Sequence, residues 1–247
     1  FWPINSQLFG NEDLSKNFHF TFELHTRFLY RAGQQFTFIG DDDVWVYINS
    51  TRVIDLGGVH SAITGAVMVL DGKAFVQKAH FSTGGDVQSV SSTMASDLAT
   101  KWSRLGLPGT CPILQGDRYI DLDLDAGNPD VLTSFTDGSA TVKSFDTVSD
   151  VVLMFEDGSS ESFNNLSGYG GTYTASDASK TVKGVYVRTA NQAAENMQWF
   201  GADVSGGPSC KLDFFFAERH TTQSNFRIDT SINLETVPPT TVSPLYD

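Results

Sequence analysis

The sequence is poor in basic residues: 16 Lys and Arg stand against 29 Asp and Glu among 247 residues, which gives a formal net charge of −13. This deficit argues against a nucleic-acid phosphate-binding surface. No apolar run reaches the roughly 18 residues typical of a membrane-spanning helix. The first residues also lack the basic and apolar segments of a signal peptide, so we expect any such peptide to have been removed already. We therefore expect neither a nucleic-acid partner nor a membrane span.

The common catalytic motifs are also missing. The sequence contains no Gly-x-Ser-x-Gly nucleophile elbow, no His-Glu-x-x-His zinc motif and no phosphate-binding loop. These absences favour a binding or structural module over an enzyme. A glycoside-acting enzyme is kept as a third alternative, because a catalytic pair of carboxylates comes together in space rather than in sequence.

Cysteine is scarce, with only Cys111 and Cys210 in the chain. Each lies beside Pro or Gly at a margin of one long segment, so we predict a disulfide between them. Such a bridge closes a loop of about 100 residues and contributes about 4–5 kcal/mol in the chain-entropy model. Asn49 and Asn165 begin Asn-x-Ser/Thr sequons and are predicted glycosylation sites. Together these features favour an extracellular location.

Phenylalanine is abundant, with 19 copies. In the first third of the chain it alternates with polar residues, as in Phe18–Leu24 and Gln35–Ile39, which is the period-two pattern of half-buried strands. Val44–Ile48 and Thr51–Leu56 flank a turn at Asn49-Ser50 and predict a β-hairpin. We therefore predict an all-β fold, an antiparallel β-sandwich or barrel in which the Phe residues form the core.

One short helix is predicted after Ser91 or Ser92, with Met94, Leu98, Trp102 and Leu105 on its buried stripe and an end at Gly106. The sequence between the two cysteines differs in pattern from the Phe-rich first third, because it predicts short strands and frequent turns typical of a β-sandwich. We predict an outer domain of residues 1–110 plus 210–235, an inserted β-rich subdomain at 111–209, and a Pro/Thr-rich linker at 236–247.

Asp41, Asp42 and Asp43 form the most informative triplet. The three carboxylates lie between two hydrophobic strands, where they repel one another unless a cation balances them. Clustered hard oxygen ligands select Ca²⁺ before transition metals. The alternative for any acidic run is a solvated turn, but the adjoining strands place this one at the rim of a core.

Asp121–Asp130 is a second acidic segment, and it resembles a calcium loop only superficially. An EF-hand needs Gly at the sixth position and Glu at the twelfth, where this chain has Ala126 and Leu132. We interpret the alternation of Asp and Leu as a strand with its Asp face in solvent.

Two segments resemble the fibro-slime domain. They are the run from Phe36 through the three aspartates to Asn49, continued by Val53–His60, and the run Leu212–His220 with Asn225–Ser231. The resemblance covers about 18–70 and 211–233. Fibro-slime domains are similar to the anthrax protective-antigen-like β-barrel superfamily, which includes yeast flocculins and adhesins and bacterial adhesins.

The resemblance implies a Ca²⁺-dependent carbohydrate-binding module. In lectins of that superfamily two consecutive aspartates joined by a cis peptide bind one Ca²⁺, and here these are Asp41 and Asp42. The ion then chelates two vicinal sugar hydroxyls. The implied partners are glycans or glycoproteins of a cell surface or matrix, and other copies or modules of the same protein. The alternative is a structural tile of an extracellular filament or matrix, in which Ca²⁺ only rigidifies the loop.

The ligand-contacting residues implied by the resemblance lie beside the aspartates and in the loop from Glu218 to Asn225. Which residue of this loop donates to the metal is left open. His60 is interpreted chiefly as a hydrogen-bonded structural residue at the back of the site, and Glu218-Arg219 as an ion pair rather than a catalytic acid with its clamp. The full set of candidate ligand-contacting residues is Asp43, His60, Glu218, His220, Thr222, Gln223 and Ser224.

Overall fold

The computed structural model describes residues 2–7, 10–11, 13–58, 60–70, 74–78, 87–122, 131–202, 209–219 and 224–235. Within these ranges the fold is antiparallel β throughout, with a single helix. The all-β prediction is confirmed, and the described strands form open sheets rather than a closed barrel.

Two sheets are built from the strands at the two ends of the chain. In the first sheet the order is β1 (Phe20–Leu29), β16 (Ser209–Glu218), β3 (Asp43–Ile48) and β4 (Thr51–Asp55). In the second sheet the order is β17 (Phe226–Thr230), β2 (Gln35–Gly40), β5 (Ile63–Leu70), β6 (Ala74–Gln77), β8 (Arg118–Asp121) and β7 (Val87–Ser89).

Two further sheets come from the middle of the chain. One has the order β13 (Gly170–Thr174), β10 (Ser139–Ser144) and β9 (Val131–Thr136). The other has the order β12 (Ser160–Phe163), β11 (Val148–Phe155), β14 (Val182–Thr189) and β15 (Gln198–Gly201). They share a hydrophobic core of their own, which includes Val142, Leu153 and Val185.

The core between the first two sheets is largely aromatic. Phe38 lies 5.7 Å from Phe214, and Phe216 lies 5.2 Å from Phe226, measured between ring centroids. Offset and edge-to-face ring pairs of this kind add about 0.5–1.5 kcal/mol each beyond the burial of their area. The period-two alternation of Phe in the sequence therefore builds a two-sheet sandwich core.

The predicted helix and the predicted hairpin turn are both present in the structure. Helix α1 spans Ser92–Leu105, with Ser91 as its N-cap and Gly106 in the left-handed conformation at its end. Asn49 and Ser50 both have positive φ values, 47° and 69°, as a tight two-residue hairpin turn requires. The helix is too short and too polar to span a membrane, and no other helix occurs in the described residues.

One prediction meets a different arrangement, and two others fall largely or wholly outside the described residues. Strand β8 lies within the predicted insertion at 111–209, yet it pairs with β6 and β7 of the second sheet. Of the predicted strand that begins at Asp121, only residues 121–122 are described, because 123–130 lie outside the described residues. The predicted linker at 236–247 also lies outside them. The division of the chain into domains stays a prediction.

The predicted disulfide is wrong in this structure. Cys111 and Cys210 are both buried but are not bonded to each other. Cys210 faces the core between the first two sheets, whereas Cys111 belongs to a separate cluster beneath α1 with Trp102 and Ile113. Burial raises the pKa of the Cys210 thiol, since it disfavours the charged form. Sequence position alone could not show that the two thiols pack in different hydrophobic cores.

Candidate functional site

The three aspartates lie where the chain crosses from one sheet to the other. Strand β2 of the second sheet ends at Gly40, and β3 of the first sheet begins at Asp43. A second crossing lies beside it, since β16 ends at Glu218 in the first sheet and the chain then enters the second sheet as β17. Pairing of Asp43 with Ala217 and of Gly40 with Phe226 brings the two crossings together.

The backbone of the triplet turns at Asp42, whose φ is +63°. This left-handed conformation is uncommon outside glycine but is enriched for Asp and Asn. All peptide bonds of the described residues are trans, including the bond between Asp41 and Asp42, so the expected cis peptide is absent. The positive φ at Asp42 achieves the sharp change of direction instead.

Asp41 is fully buried and is held by Asn225. The backbone N–H of Asn225 donates to Oδ1 of Asp41, and its side-chain Nδ2 donates to Oδ2 at 2.8 Å. The preceding Gly40 leaves no room for a side chain, because a Cβ there would lie 2.3 Å from the carbonyl oxygen of Asn225. The two crossings are therefore in direct contact at this point.

Asp42 is also fully buried, and within the described ranges only one of its carboxylate oxygens has a hydrogen bond. The backbone N–H of Arg219 donates to Oδ2 at 2.7 Å. Oδ1 is buried and has no hydrogen-bond partner among the described residues. An unpartnered buried carboxylate oxygen is costly, by roughly 1–3 kcal/mol or more for a charged group.

Asp43 is the best-satisfied member of the triplet. Its Oδ1 accepts hydrogen bonds from the backbone N–H of Gly58 at 2.5 Å and from Nη2 of Arg219 at 2.8 Å. Nε of Arg219 pairs with the other oxygen, Oδ2. Arg219, expected to pair with Glu218, thus contacts Asp43 with two of its nitrogens.

The charge balance of this buried cluster is unfavourable. Asp41, Asp42 and Asp43 are at most 4 % exposed, Glu218 at the end of β16 is 1 % exposed, and Arg219 supplies one positive charge beside them. Removing a charged group from water costs roughly several kcal/mol per ion unless an opposite charge repays it. Among the described residues, one guanidinium, that of Arg219, lies against the three adjacent carboxylates of Asp41, Asp42 and Asp43, so the cluster is electrostatically suited to a cation.

A complete metal site is not formed by the described residues alone. No group of three or more His, Cys, Asp and Glu side chains in these ranges is arranged to hold a metal ion. Of the predicted loop, His220, Thr222 and Gln223 lie outside the described residues. Ser224 is described and is buried beside Asn225.

His60 has both ring nitrogens at backbone carbonyl groups. Nε2 lies 2.9 Å from the oxygen of Leu56, and Nδ1 lies 3.0 Å from the oxygen of Ser61. These contacts hold the loop that follows β4, whose Gly58 reaches Asp43. The arrangement agrees with a structural role for His60.

The predicted glycosylation sites differ in their surroundings. Asn165 is exposed and lies in a bend with φ of 57°. Asn49 is exposed as well, but its Oδ1 accepts a hydrogen bond from the backbone N–H of Lys211 at 2.8 Å, and its side chain hydrogen-bonds the thiol of Cys210. The side chain of Asn49 thus serves to tie the β3–β4 turn to β16.

Sequence reasoning missed the part played by Asn225 and by three aromatic side chains on the first sheet. Asn225 carried one weak signal, its place directly before the closing strand. Trp45, Tyr47 and Phe215 are all partly exposed, although the Phe residues were expected to form the core. They lie along a groove lined also by Glu23 and Asp213.

Glu23 and Asp213 are linked by His25. Nδ1 of His25 lies 2.7 Å from Oδ1 of Asp213, and Nε2 lies 3.3 Å from Oε2 of Glu23. The hydrogen bond with Asp213 and then that with Glu23 raise the pKa of His25. Burial opposes ionisation of Asp213, but its bonds with His25 and Lys211 prevail and lower the pKa of this carboxyl.

The structure thus defines an antiparallel β-sandwich protein with a buried acidic cluster where two chain crossings meet. In sequence it is similar to three proteins of Dictyostelium discoideum: psiH (47% identical over 78 residues), psiC (41% over 75) and psiD (43% over 79). The matches cover 28%, 27% and 29% of this chain but only 11%, 14% and 16% of those proteins. No family model matches the chain.

Among solved structures, two glycosidases are distantly similar. A β-glucuronidase of Faecalibacterium prausnitzii has a TM-score of 0.24 at 14% identity, covering 73% of this chain and 37% of the enzyme. A structure described as a β-galactosidase of Bacteroides fragilis has a TM-score of 0.16 at 12% identity, covering 76% and 33%. Such scores support no conclusion about activity, and the names of the Dictyostelium relatives mention no enzyme.

Proposed function

We propose that this chain is an extracellular, Ca²⁺-dependent carbohydrate-binding module of the fibro-slime type. The observation that carries the proposal is Oδ1 of Asp42, a buried carboxylate oxygen without a hydrogen-bond partner among the described residues. An ionised oxygen in this position is stabilised by a cation far better than by any neutral group, and hard oxygen donors favour Ca²⁺.

The fit of the residues to calcium rests on their chemistry. Asp41 and Asp42 would hold the ion, and the loop before β17 would contribute the other donors. Asn225 and Arg219 fix the two carboxylates in place through the hydrogen bonds described above. A bound Ca²⁺ supplies charge balance and open coordination positions for vicinal hydroxyls. The partners that follow from this chemistry are glycans or glycoproteins of a cell surface or matrix.

Asp42→Asn is the sharpest variant for testing the proposal. Asn keeps the shape of the side chain and tolerates the left-handed backbone at this position, but it removes the negative charge. We expect the wild-type protein to gain unfolding free energy on addition of Ca²⁺, by about 2.7 kcal/mol at 100 times the dissociation constant. Calorimetric titration with monosaccharides should then show binding that requires Ca²⁺.

The matched control is Asp97→Asn, which changes an exposed carboxylate on α1 that pairs with Lys101 at 3.6 Å. This variant should respond to Ca²⁺ and sugars as the wild type does. The proposal is wrong if Asp42→Asn retains the wild-type Ca²⁺ response or if no monosaccharide binds at saturating Ca²⁺. Stabilisation by Ca²⁺ without sugar binding would instead favour the structural-tile alternative.

A further inference from the structure

A groove of about 580 Å³ lies along the first sheet, next to the acidic cluster. Successive residues of β3 and β16 point alternately to the two faces of the first sheet. Val46 and Phe214 point into the core, whereas Trp45 and Phe215 point outward and remain partly exposed. The groove therefore lies on the face of the sheet that is opposite to the sandwich core.

Three aromatic rings form the floor of this groove. Trp45 and Phe215 are direct partners across β3 and β16, and the ring of Tyr47 lies 5.8 Å from that of Phe215 at 86°. Trp45 rests against Gly57, where a Cβ would come within 3.3 Å of its ring atom Cζ2. Neighbouring contacts thus fix these rings, and a ligand need not order them.

The polar side of the groove offers acceptors that are already balanced in charge. Asp213 is bonded to His25 and, through its other oxygen at 2.9 Å, to Nζ of Lys211. Glu23 shares His25 at 3.3 Å. Because the ammonium of Lys211 and the imidazole of His25 already bind these carboxylates, the groove does not call for a cationic ligand. It suits a neutral ligand with an apolar C–H face for the rings and hydroxyl groups for the carboxylates, which describes a pyranose.

The lining of the groove includes Trp45, which lies two residues along β3 from Asp43 of the proposed calcium site. Asp43, Trp45 and Tyr47 alternate along β3 and so share one face, at steps of about 6.6 Å for every two residues. The loop after β4 serves both regions, since Gly58 donates to Asp43 and Gly57 supports Trp45. A chain of sugar units that begins at the aspartates would pass over Trp45 and then Tyr47.

We infer that this groove binds the second and third units of an oligosaccharide whose first unit is held at Asp41 and Asp42. The inference rests on the proposed function for the position of the first unit. It makes the chain a reader of short glycan chains rather than of single terminal sugars. Specificity for the linkage between units then resides in the groove, apart from the site that holds the first unit.

The test is calorimetric titration with mono-, di- and trisaccharides of the manno, galacto and gluco series at saturating Ca²⁺. We expect the affinity of the wild type to rise with the length of the preferred series. Trp45→Ala should lower the trisaccharide affinity by about tenfold or more, the loss that follows from removing one well-buried aromatic contact. Monosaccharide affinity should stay within about twofold of the wild type, because Trp45 lies beyond the first unit.

The matched control is Trp199→Ala, which removes an indole that is 40 % exposed and lies 4.9 Å from the ring of Tyr186 in the separate sheet formed by β12, β11, β14 and β15. It should bind all three lengths as the wild type does, and thermal unfolding should verify that both variants fold. Equal trisaccharide affinity in Trp45→Ala and wild type overturns the inference, as does an affinity that does not rise with length.

The two proposals fail in distinguishable ways. Saccharide binding that requires Ca²⁺ but is unaffected by Trp45→Ala for mono-, di- and trisaccharides alike would support the calcium site. That result would overturn the inference about the groove. Trisaccharide binding that needs Trp45 but not Ca²⁺ would support the groove and overturn the proposed function. Absence of any saccharide binding would overturn both.

Discussion

Asn225 binds both carboxylate oxygens of Asp41, a residue 184 positions away in the chain. One contact comes from its backbone and one from its side chain, so the bond fixes both the path of the closing segment and the orientation of the carboxylate. Together with the bonds of Arg219 to Asp42 and Asp43, it joins the two crossings between the sheets.

Asn225→Ala should destabilise the protein. It removes the Nδ2 donor and leaves Oδ2 of Asp41 without that partner in a fully buried position. We expect a loss of about 1–3 kcal/mol in the free energy of unfolding, the usual cost of such a vacancy, measured by urea denaturation without Ca²⁺. Asn164→Ala, at an exposed position, is the control and should change stability by less than about 0.5 kcal/mol. Equal effects of the two variants would contradict the role given to Asn225.

Arg219→Gln should make the acidic cluster more dependent on an external cation. The variant removes the guanidinium that pairs with Asp43, while the backbone N–H that binds Asp42 stays. Because the Arg219 side chain is 53% exposed, the expected loss of stability without Ca²⁺ is modest, about 1–2 kcal/mol. It should be greater at low ionic strength, where charges are less screened.

The control for this experiment is Arg227→Gln, which breaks an exposed pair with Asp229 at 2.8 Å. Exposed pairs contribute little, so its stability should hardly change. The measurement is thermal unfolding with and without Ca²⁺ at two salt concentrations. A Ca²⁺-induced gain no larger in Arg219→Gln than in the wild type would count against the electrostatic account of the cluster.

The His25 bridge predicts a pH dependence of stability. The pKa of His25 is raised in the folded protein by its bonds to Asp213 and Glu23. The protonated bridge therefore stabilises the fold fully below the unfolded pKa of about 6.5. This contribution is lost as the pH rises through the higher folded value. The effect is expected to stay below about 1 kcal/mol, because the imidazole is half exposed.

Comparison of wild type with His25→Gln tests this expectation by urea denaturation between about pH 5 and pH 8.5. The stability difference between the two proteins should be greatest at the acid end and should shrink as the pH rises. A difference that is constant or grows with pH would show that the bridge does not behave as described. The lowered pKa of Asp213 acts at more acidic pH, where that carboxyl takes up its proton, and so outside this window.

Much of the fold could be predicted from the sequence because local rules decided it. The hairpin turn at Asn49-Ser50, the helix from Ser92 to Leu105 and the Phe-rich strands all follow from backbone preference and the period of burial. The Asp41–Asp43 segment could also be selected from the sequence as a candidate site. Three adjacent carboxylates between apolar strands are costly to bury unless an opposite charge compensates them. These are relationships between neighbours in the chain.

The errors concern relationships between distant residues. The proposed bridge between Cys111 and Cys210 depended on spatial proximity, and the two thiols face different cores. The contact of the Arg219 guanidinium with Asp43 joins residues 176 positions apart, and the adjacency of Arg219 to Glu218 did not indicate it. Strand β8 pairs with the second sheet, which the composition of its surroundings did not reveal.

The sequence by itself determined that this is an acidic, all-β chain with one carboxylate triplet at the edge of an aromatic core. Composition and alternation are enough for that, because they set which faces are buried. Only the tertiary structure decided which donors reach each carboxylate, and among the described residues Oδ1 of Asp42 has none. It also placed Trp45, Tyr47 and Phe215 along a groove rather than in the core. The reason is physical: alternation assigns residues to two faces, but only the packing of sheets against each other decides which face is covered.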